Sequence, residues 1–161
     1  MSKPTSLKSF LTLPVQETYG LDFIKKSIPH RPPFLLVDEV RVLEPRKKYI
    51  GVHRVHPEEY YFKGHFPGLP VMPGVLVVES MSQAFGAAAM QFVSNGQGVP
   101  LFLSIEHAKF RDIVKPGDLL EMPIEILRLG KISKIYAEAY TNGKMCVQAA
   151  LNFVLGDVSH E

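Results

Sequence analysis

The stretch that decides the fold runs from His65 to Val93. It reads His65-Phe-Pro-Gly-Leu-Pro-Val-Met-Pro-Gly74 and continues as Val75-Leu-Val-Val-Glu-Ser-Met-Ser-Gln-Ala-Phe-Gly-Ala-Ala-Ala-Met-Gln-Phe-Val93. The first ten residues include three prolines and two glycines, which predicts a stiff, irregular loop because proline has no N–H group to donate. From Val75 onward proline is absent and Ala, Leu, Met and Gln are frequent, so this part favours an α-helix.

The predicted helix, 75–93, is apolar around almost its whole circumference, which is typical of a helix enclosed by other elements. Its polar interruptions argue against a membrane span, which needs about 20 mostly apolar residues. Glu79 is the one acid in this helix. A buried carboxylate without a partner costs several kcal/mol or becomes protonated. Glu79 is therefore either a satisfied core or interface residue, or the partner of His65 in acid–base chemistry.

The composition is that of an ordinary globular protein. The 161 residues are 46% hydrophobic and 21% charged, and the formal net charge of +2 is too small to indicate a nucleic-acid partner. We predict one domain over 21–161, preceded by an extension, 1–20, that we expect to be a disordered arm. The N-terminus does not have the pattern of a signal peptide, so we expect a cytoplasmic location. The single cysteine, Cys146, excludes an intrachain disulfide and is predicted to be a buried thiol in a strand.

Around the helix the pattern predicts an antiparallel sheet. Residues 21–28 have the spacing of a short amphipathic helix that ends before Pro29. Strand-like runs lie at 34–44, 49–56, 101–111, 119–129, 132–141 and 144–155. The dipeptide Asn142-Gly143 is typical of a tight hairpin, so the last strands are expected to run antiparallel. The predicted class is α+β, with a curved antiparallel sheet wrapped around one long central helix.

Four segments carry a resemblance to a known family. They are Ile28-Pro-His-Arg-Pro-Pro-Phe-Leu-Leu-Val-Asp38, Gly64-His-Phe-Pro-Gly-Leu-Pro-Val-Met-Pro-Gly-Val-Leu76, Glu79-Ser-Met-Ser-Gln83, and Ala108-Lys-Phe-Arg111 with Val114-Lys-Pro-Gly-Asp118. In order and spacing they resemble the (3R)-hydroxyacyl-acyl-carrier-protein dehydratases of bacterial type II fatty acid synthesis, over roughly residues 21–155. The resemblance implies a hot-dog fold, homodimers that commonly assemble as a trimer of dimers, and an acyl carrier protein as partner. No cofactor, metal, nucleic acid or membrane span is predicted.

The helix acid separates two subtypes of that family. One subtype carries Asp and also isomerises the double bond, whereas the other carries Glu and mainly dehydrates. Glu79 makes this chain similar to the Glu subtype. In the family this acid comes from the partner subunit and faces the histidine across the dimer interface. The chain departs from the family pattern at Pro32, where an aromatic residue is common, which bears on the wall of the pocket.

The chemistry implied by the resemblance can be assigned to particular residues. Removing water from a 3-hydroxyacyl thioester needs a base, a donor to the carbonyl oxygen and an acid for the hydroxyl group. His65 is the candidate base because imidazole titrates near neutral pH, and Glu79 is the candidate acid. The backbone N–H of Gly74, at the start of the helix, is the candidate donor. Phe66 and Gln83 are further candidates for substrate contact, and Gln83 lies one turn after Glu79.

A group of basic residues lies at the end of the first strand after the helix and in the turn that follows it. Lys109, Arg111 and Lys115 are candidates for contact with the acidic carrier protein, and a solvated basic edge is the alternative interpretation. Asp112 stands among them where the family frequently has a basic residue. This departure bears on how strongly the carrier is bound.

Other interpretations of the site stay open. A metal site of His53, His56 and His65 is disfavoured because residues three apart in a strand point to opposite faces. A hot-dog thioesterase would release a free thiol instead of an enoyl product. A non-catalytic acyl-binding protein would keep a tunnel for the acyl chain but would lack the acid or the base. This chain has both.

Overall fold

The computed structural model describes residues 5–93 and 98–157, and the elements named below belong to these ranges. The α-helices are α1 (Leu21–Ser27) and α2 (Gly74–Val93). The strands are β1 (Glu17–Tyr19), β2 (Glu39–Glu44), β3 (Lys48–Arg54), β4 (Gly98–Phe110), β5 (Leu119–Arg128), β6 (Ile132–Thr141) and β7 (Lys144–Asp157). Two short 3-10 turns lie at Lys8–Thr12 and Tyr60–Lys63.

The seven strands form one sheet in the order β1-β2-β3-β5-β6-β7-β4, and every neighbouring pair is antiparallel. Helix α2 packs against β2, β3, β4, β5, β6 and β7, so the sheet wraps around it. The predicted α+β class and its hot-dog arrangement are confirmed. The β6–β7 hairpin turns at Asn142 and Gly143, whose φ angles of 51° and 75° suit these two residue types.

Small residues stand where α2 approaches the sheet most closely. A Cβ atom on Gly51 of β3 would lie 2.5 Å from the Cβ of Ala84, which is closer than two carbon atoms can pack. A Cβ atom on Gly86 would lie 2.9 Å from Pro100 Cγ and 3.0 Å from Ile28 Cγ2. Larger side chains at these positions would push the helix away from β3, β4 and α1.

The segment 34–38 differs from its predicted structure. The alternating pattern predicted a strand over 34–44, but the strand begins at Glu39. The N–H of Leu36 donates to Gln83 Oε1, and the carbonyl of Leu36 accepts from Ser80 Oγ. Side chains of α2 thus satisfy the backbone groups that a strand partner would otherwise bind. The bounds of the other predicted elements differ from the observed ones by three residues at most.

The expectation of a disordered arm is wrong for residues 5–20. Leu7 and Phe10 are buried, 3% and 6% exposed, and they belong to a small apolar cluster with Ile50 and Val52 on the face of the sheet away from α2. Strand β1 pairs with β2. The extension therefore gains apolar contacts and backbone hydrogen bonds that hold it on the domain.

A buried carboxylate anchors the start of this extension. Glu138 of β6 is 1% exposed, and its Oε1 accepts the backbone N–H of Leu7 at 2.6 Å. The hydroxyls of Tyr136 and Tyr140 donate to the same carboxylate at 2.6 and 2.9 Å. Since Glu138 is remote from Leu7 in sequence, no local pattern in the first 20 residues indicates this contact.

Cys146 is buried in β7, and its Sγ lies 3.2 Å from the hydroxyl of Thr141. The prediction of a buried strand thiol is confirmed. Burial raises the pKa of this thiol, which keeps it protonated and unreactive. Of the helices in the described ranges, none has the length and apolar character needed to cross a bilayer.

The Gly51–Ala84 contact predicts the effect of added bulk. We expect Gly51→Ala to lower the free energy of unfolding by about 1–3 kcal/mol, because the new methyl group must displace α2 or Met122, whose Cε would lie 3.3 Å away. Urea denaturation measures the change. Gly64→Ala is the control, since a Cβ there meets nothing within 4 Å, and it should change stability by less than about 0.5 kcal/mol. Equal stability of the two variants would contradict the packing argument.

Candidate active site

His65 is held by backbone groups on both sides. It follows the turn Tyr60–Lys63, and its N–H donates to the carbonyl of Tyr61 at 3.0 Å. Its ring Nδ1 lies 2.8 Å from the carbonyl oxygen of Val71, and the N–H of Val71 returns to the carbonyl of His65 at 2.9 Å. Because a carbonyl only accepts, Nδ1 carries a hydrogen. The lone pair of the neutral imidazole is therefore on Nε2, where it can take a proton.

Phe66 contacts this ring, and Gly74 begins the helix that follows the same loop. The Phe66 ring stacks on the His65 ring with centroids 4.0 Å apart, and Phe66 is 50% exposed. Gly74 is the first residue of α2, so its N–H has no partner within the helix. A Cβ atom on Gly74 would lie 2.5 Å from Cδ1 of Phe110. Position 74 thus needs glycine because the Phe110 ring of the same chain packs closely against it.

Glu79 lies on α2 at the edge of the enclosed region, with its side chain 19% exposed. Nε2 of Gln83 donates to Glu79 Oε1 at 3.0 Å and to the carbonyl of Phe34 at 2.8 Å. Oε1 of Gln83 accepts the N–H of Leu36 at 2.6 Å. All three bonds of the buried Gln83 amide fix its orientation, and that orientation points an N–H at Glu79.

His30 is expected from its sequence to be a loop residue bonded to the backbone, but its ring lies beside Glu79. Its Nε2 lies 3.5 Å from Glu79 Oε1, and its side chain is 18% exposed. Burial lowers the pKa of His30 and the charge of Arg31 lowers it further, whereas the charge of Glu79 raises it only in part. A neutral imidazole therefore faces the carboxylate. The Pro-His-Arg sequence that precedes the extended segment was the available signal.

The two candidate catalytic groups, His65 and Glu79, are not bonded to each other in the described part of the chain. In the described ranges, 5–93 and 98–157, no hydrogen bond or ion pair joins His65 to Glu79. Each instead has its own supports, Val71 for the imidazole and Gln83 for the carboxylate. His65 and Glu79 are thus held separately, and neither is a bonding partner of the other.

His53 and His56, considered above as metal ligands, have other surroundings. His53 is 3% exposed, with Nδ1 3.0 Å from Asp38 Oδ2 and Nε2 2.8 Å from Glu59 Oε1. Burial lowers the pKa of His53, but the contacts with these two carboxylates and their negative charges have the larger, opposite effect. The pKa is therefore raised to about 9. His56 is exposed. Within the part of the chain that the structure describes, no group of three His, Cys, Asp or Glu side chains is arranged to hold a metal ion.

The three basic candidates are exposed around the end of β4. Arg111 donates from Nε to Gln148 Oε1 at 2.8 Å. The departure at Asp112 places a carboxylate beside them, 4.0 Å from Lys144 Nζ. The three basic side chains are thus exposed to solvent, with one acid among them.

Comparison with known proteins identifies the family. A sequence model of the FabA-like domain matches residues 28–150. The 3-hydroxyacyl-acyl-carrier-protein dehydratase FabZ of Desulforamulus reducens is 42% identical over 137 residues, which cover 84% of this chain and 96% of that protein. The chain belongs to the FabA-like dehydratase family.

Other dehydratases of this family have the same extent of similarity. The FabZ of Clostridium kluyveri is 43% identical over 141 residues, which cover 86% of this chain and 97% of that protein. Among solved structures, the dehydratase heterocomplex ApeI:P of Xenorhabdus doucetiae has a TM-score of 0.66 at 17% identity and covers 84% of this chain and 91% of its own. At that identity the similarity shows the hot-dog fold alone.

Proposed function

We propose that the protein removes water from a (3R)-hydroxyacyl group on acyl carrier protein to give the trans-2-enoyl product, as part of fatty acid or related lipid biosynthesis. The single observation that carries the proposal is the bond from His65 Nδ1 to the Val71 carbonyl, because it leaves Nε2 free as a base. The FabZ relatives, named as dehydratases of this substrate class, support the reaction type. The sequence-based expectation of a cytoplasmic location is retained in this proposal.

In the proposed reaction His65 acts on the carbon beside the thioester carbonyl, and Glu79 acts on the hydroxyl group of carbon 3. Nε2 of His65 takes the proton from the carbon beside the thioester carbonyl, and the electron pair forms the new double bond. The C–O bond at carbon 3 breaks, and Glu79, which enters this step as the carboxylic acid, gives its proton to the leaving hydroxyl, so that water departs and the carboxylate remains. The N–H of Gly74 donates to the thioester oxygen while negative charge develops there.

The proposal places the two catalytic groups of one site on two copies of the chain, as the family resemblance implies. Strand β4 is one edge of the sheet, it is 13 residues long, and it exposes a row of large apolar side chains. They are Leu101, Leu103, Ile105 and Phe110, each more than half exposed. A long apolar edge is expected to pair with another strand. We propose a homodimer joined at β4, with Glu79 of one protomer facing His65 of the other, and a trimer of dimers from the family resemblance.

The acyl carrier protein is the proposed macromolecular partner. The exposed Lys109 and Lys115, together with Arg111, would steer an acidic carrier toward the entrance near Gly74, because Phe110 touches both regions. Phe66 would line that entrance, since half of its surface is free.

The reaction can be tested directly with purified protein. We expect the protein to convert 3-hydroxyacyl-carrier-protein to the enoyl product, detected by enoyl absorbance and mass spectrometry. His65→Ala and Glu79→Gln should each lower kcat at least about a hundredfold, because each removes a proton-transfer group. Release of free thiol without enoyl product would instead identify a thioesterase, and binding without turnover would identify an acyl-binding protein.

A mixture of the two inactive variants tests the shared site. After subunit exchange, a mixed dimer has one site with both defects and one site with neither. We expect recovery of about a quarter of the native activity, since half of the dimers are mixed and each has one intact site. No recovery despite verified exchange would contradict a site built from two protomers.

Gln83 is proposed to orient Glu79 by its amide N–H. Gln83→Ala should lower kcat about tenfold or more with a smaller change in KM, because the carboxylate loses the bond that directs it. Steady-state kinetics measure both constants. Gln91→Ala, the same substitution on the same helix, removes a bond to Tyr19 and should leave kcat unchanged. An unchanged kcat in Gln83→Ala would contradict the proposed role of Gln83.

The carrier contact is tested by charge reversal. Lys109→Glu should lower kcat/KM for the carrier-bound substrate and reduce its dependence on salt, because a favourable charge contact has been lost. Lys8→Glu makes the same change in net charge on the face of the sheet away from α2 and is the control. A short thioester without the carrier should be converted equally by the native protein and by Lys109→Glu. An equal loss with both substrates would contradict the carrier contact.

A further inference from the structure

A buried positive charge lies outside the residues assigned roles above. The His53 ring, near the end of β3, faces Asp38 through Nδ1 and Glu59 through Nε2, at 3.0 and 2.8 Å. Nδ1 forms a hydrogen bond to Asp38, whereas Nε2 lies at ion-pair distance from Glu59 without a hydrogen bond of its own. Two carboxylates within 3.0 Å of one buried ring favour its charged form, because each attracts the positive charge.

Asp38 ends the segment that supports Glu79. Its Oδ2 also accepts the N–H of Arg54 at 2.7 Å, which ties the segment to the end of β3. In the same segment the Phe34 carbonyl and the Leu36 N–H bind the amide of Gln83, which in turn bonds to Glu79. A displacement of Asp38 would therefore move the backbone groups that orient the Gln83 side chain.

Glu59 begins the turn that supports His65. Its carbonyl accepts the N–H of Phe62 at 3.2 Å, and the carbonyl of Tyr61 in the same turn accepts the N–H of His65 at 3.0 Å. The carboxylate of Glu59 also accepts the N–H of His56 at 3.3 Å, which closes the loop between β3 and the turn. The ion pair with His53 adds a charged contact to those of Tyr61 and Phe62, which are buried in the main core.

We propose that His53 is a positioning residue, which holds the segment that supports Glu79 and the turn that supports His65 in fixed relation by bridging Asp38 and Glu59. The inference rests on the dehydratase function proposed above. Without the cation, the two carboxylates would be left partly buried and would repel each other. The buried Tyr61 hydroxyl beside Glu59 adds no positive charge, and its pKa is raised by burial and by the charge of Glu59.

Three variants separate positioning from general destabilisation. His53→Gln removes the charge, and His53→Lys keeps a cation at the site. The matched control is Arg41→Gln, because Arg41 also bridges two carboxylates, with Glu39 at 2.7 Å and Glu121 at 3.2 Å, but at β2 and β5 rather than at the catalytic segments. Urea denaturation at pH 7 places the stabilities of all the variants on one scale.

The kinetic readout is the division between kcat and KM. We expect His53→Gln to lower kcat about tenfold to a hundredfold with less than about a twofold change in KM, because misplaced groups lose rate before they lose binding. His53→Lys should recover most of kcat, and Arg41→Gln should keep native kcat. Native kcat in His53→Gln, or failure of His53→Lys to recover activity, would overturn the inference. An inactive native protein would instead overturn the proposed function.

Amide hydrogen exchange provides a readout that does not need turnover. In His53→Gln the amides of His65 and Val71 should exchange about tenfold faster, and in His53→Lys and Arg41→Gln they should exchange at the native rate. Should His53→Gln not fold, Glu59→Gln removes the same ion pair from the other side and is measured in the same way. Native exchange at both amides in a folded variant of this pair would overturn the inference even if no substrate were turned over.

Discussion

Close contact between α2 and the sheet is the constraint on which the rest of the structure depends. At Gly51, Ala84 and Gly86 the packing leaves no room for a larger side chain. A helix enclosed this tightly cannot expose its polar side chains to water, so they must find partners in the protein. Ser80 and Gln83 find them in the backbone of 34–36. Because these side chains bind its backbone, the irregular segment 34–36 lies across the helix beside Glu79.

The first turn of α2 is only partly enclosed by the rest of the protein, and Glu79 lies close to it. Val75 is 70% exposed, whereas Met81 and the residues that follow it to Met90 are buried. Burial begins at Val77 and Val78, and Glu79 follows them with its side chain 19% exposed. Phe66 and Leu69, from the loop that carries His65, are 50% and 61% exposed on the same chain. Exposed apolar side chains next to an ionisable group are typical of a surface that another molecule covers, which agrees with the proposed dimer.

The sequence predicts the features that depend on neighbours along the chain. The apolar pattern of α2 predicts its start within one residue, and Asn142-Gly143 predicts the β6–β7 hairpin. His65 and Glu79 stand out because of their local surroundings. The features that were missed depend on residues far apart: Leu7 binds Glu138, and His30 approaches Glu79. Their geometry follows from the folded arrangement of the sheet, which alternation of apolar residues does not encode.

Three carboxylates show how this fold treats buried acid groups, and the differences bear on function. Glu138 is 1% exposed and accepts the backbone N–H of Leu7 and two tyrosine hydroxyls, so its hydrogen-bonding capacity is used by the protein itself. Glu59 is paired with the charged ring of His53. Glu79 has one amide donor, from Gln83, and a neutral imidazole 3.5 Å away. It keeps free acceptor capacity at the edge of the core. Of the three acids, Glu79 is the one that can still bond to a substrate hydroxyl.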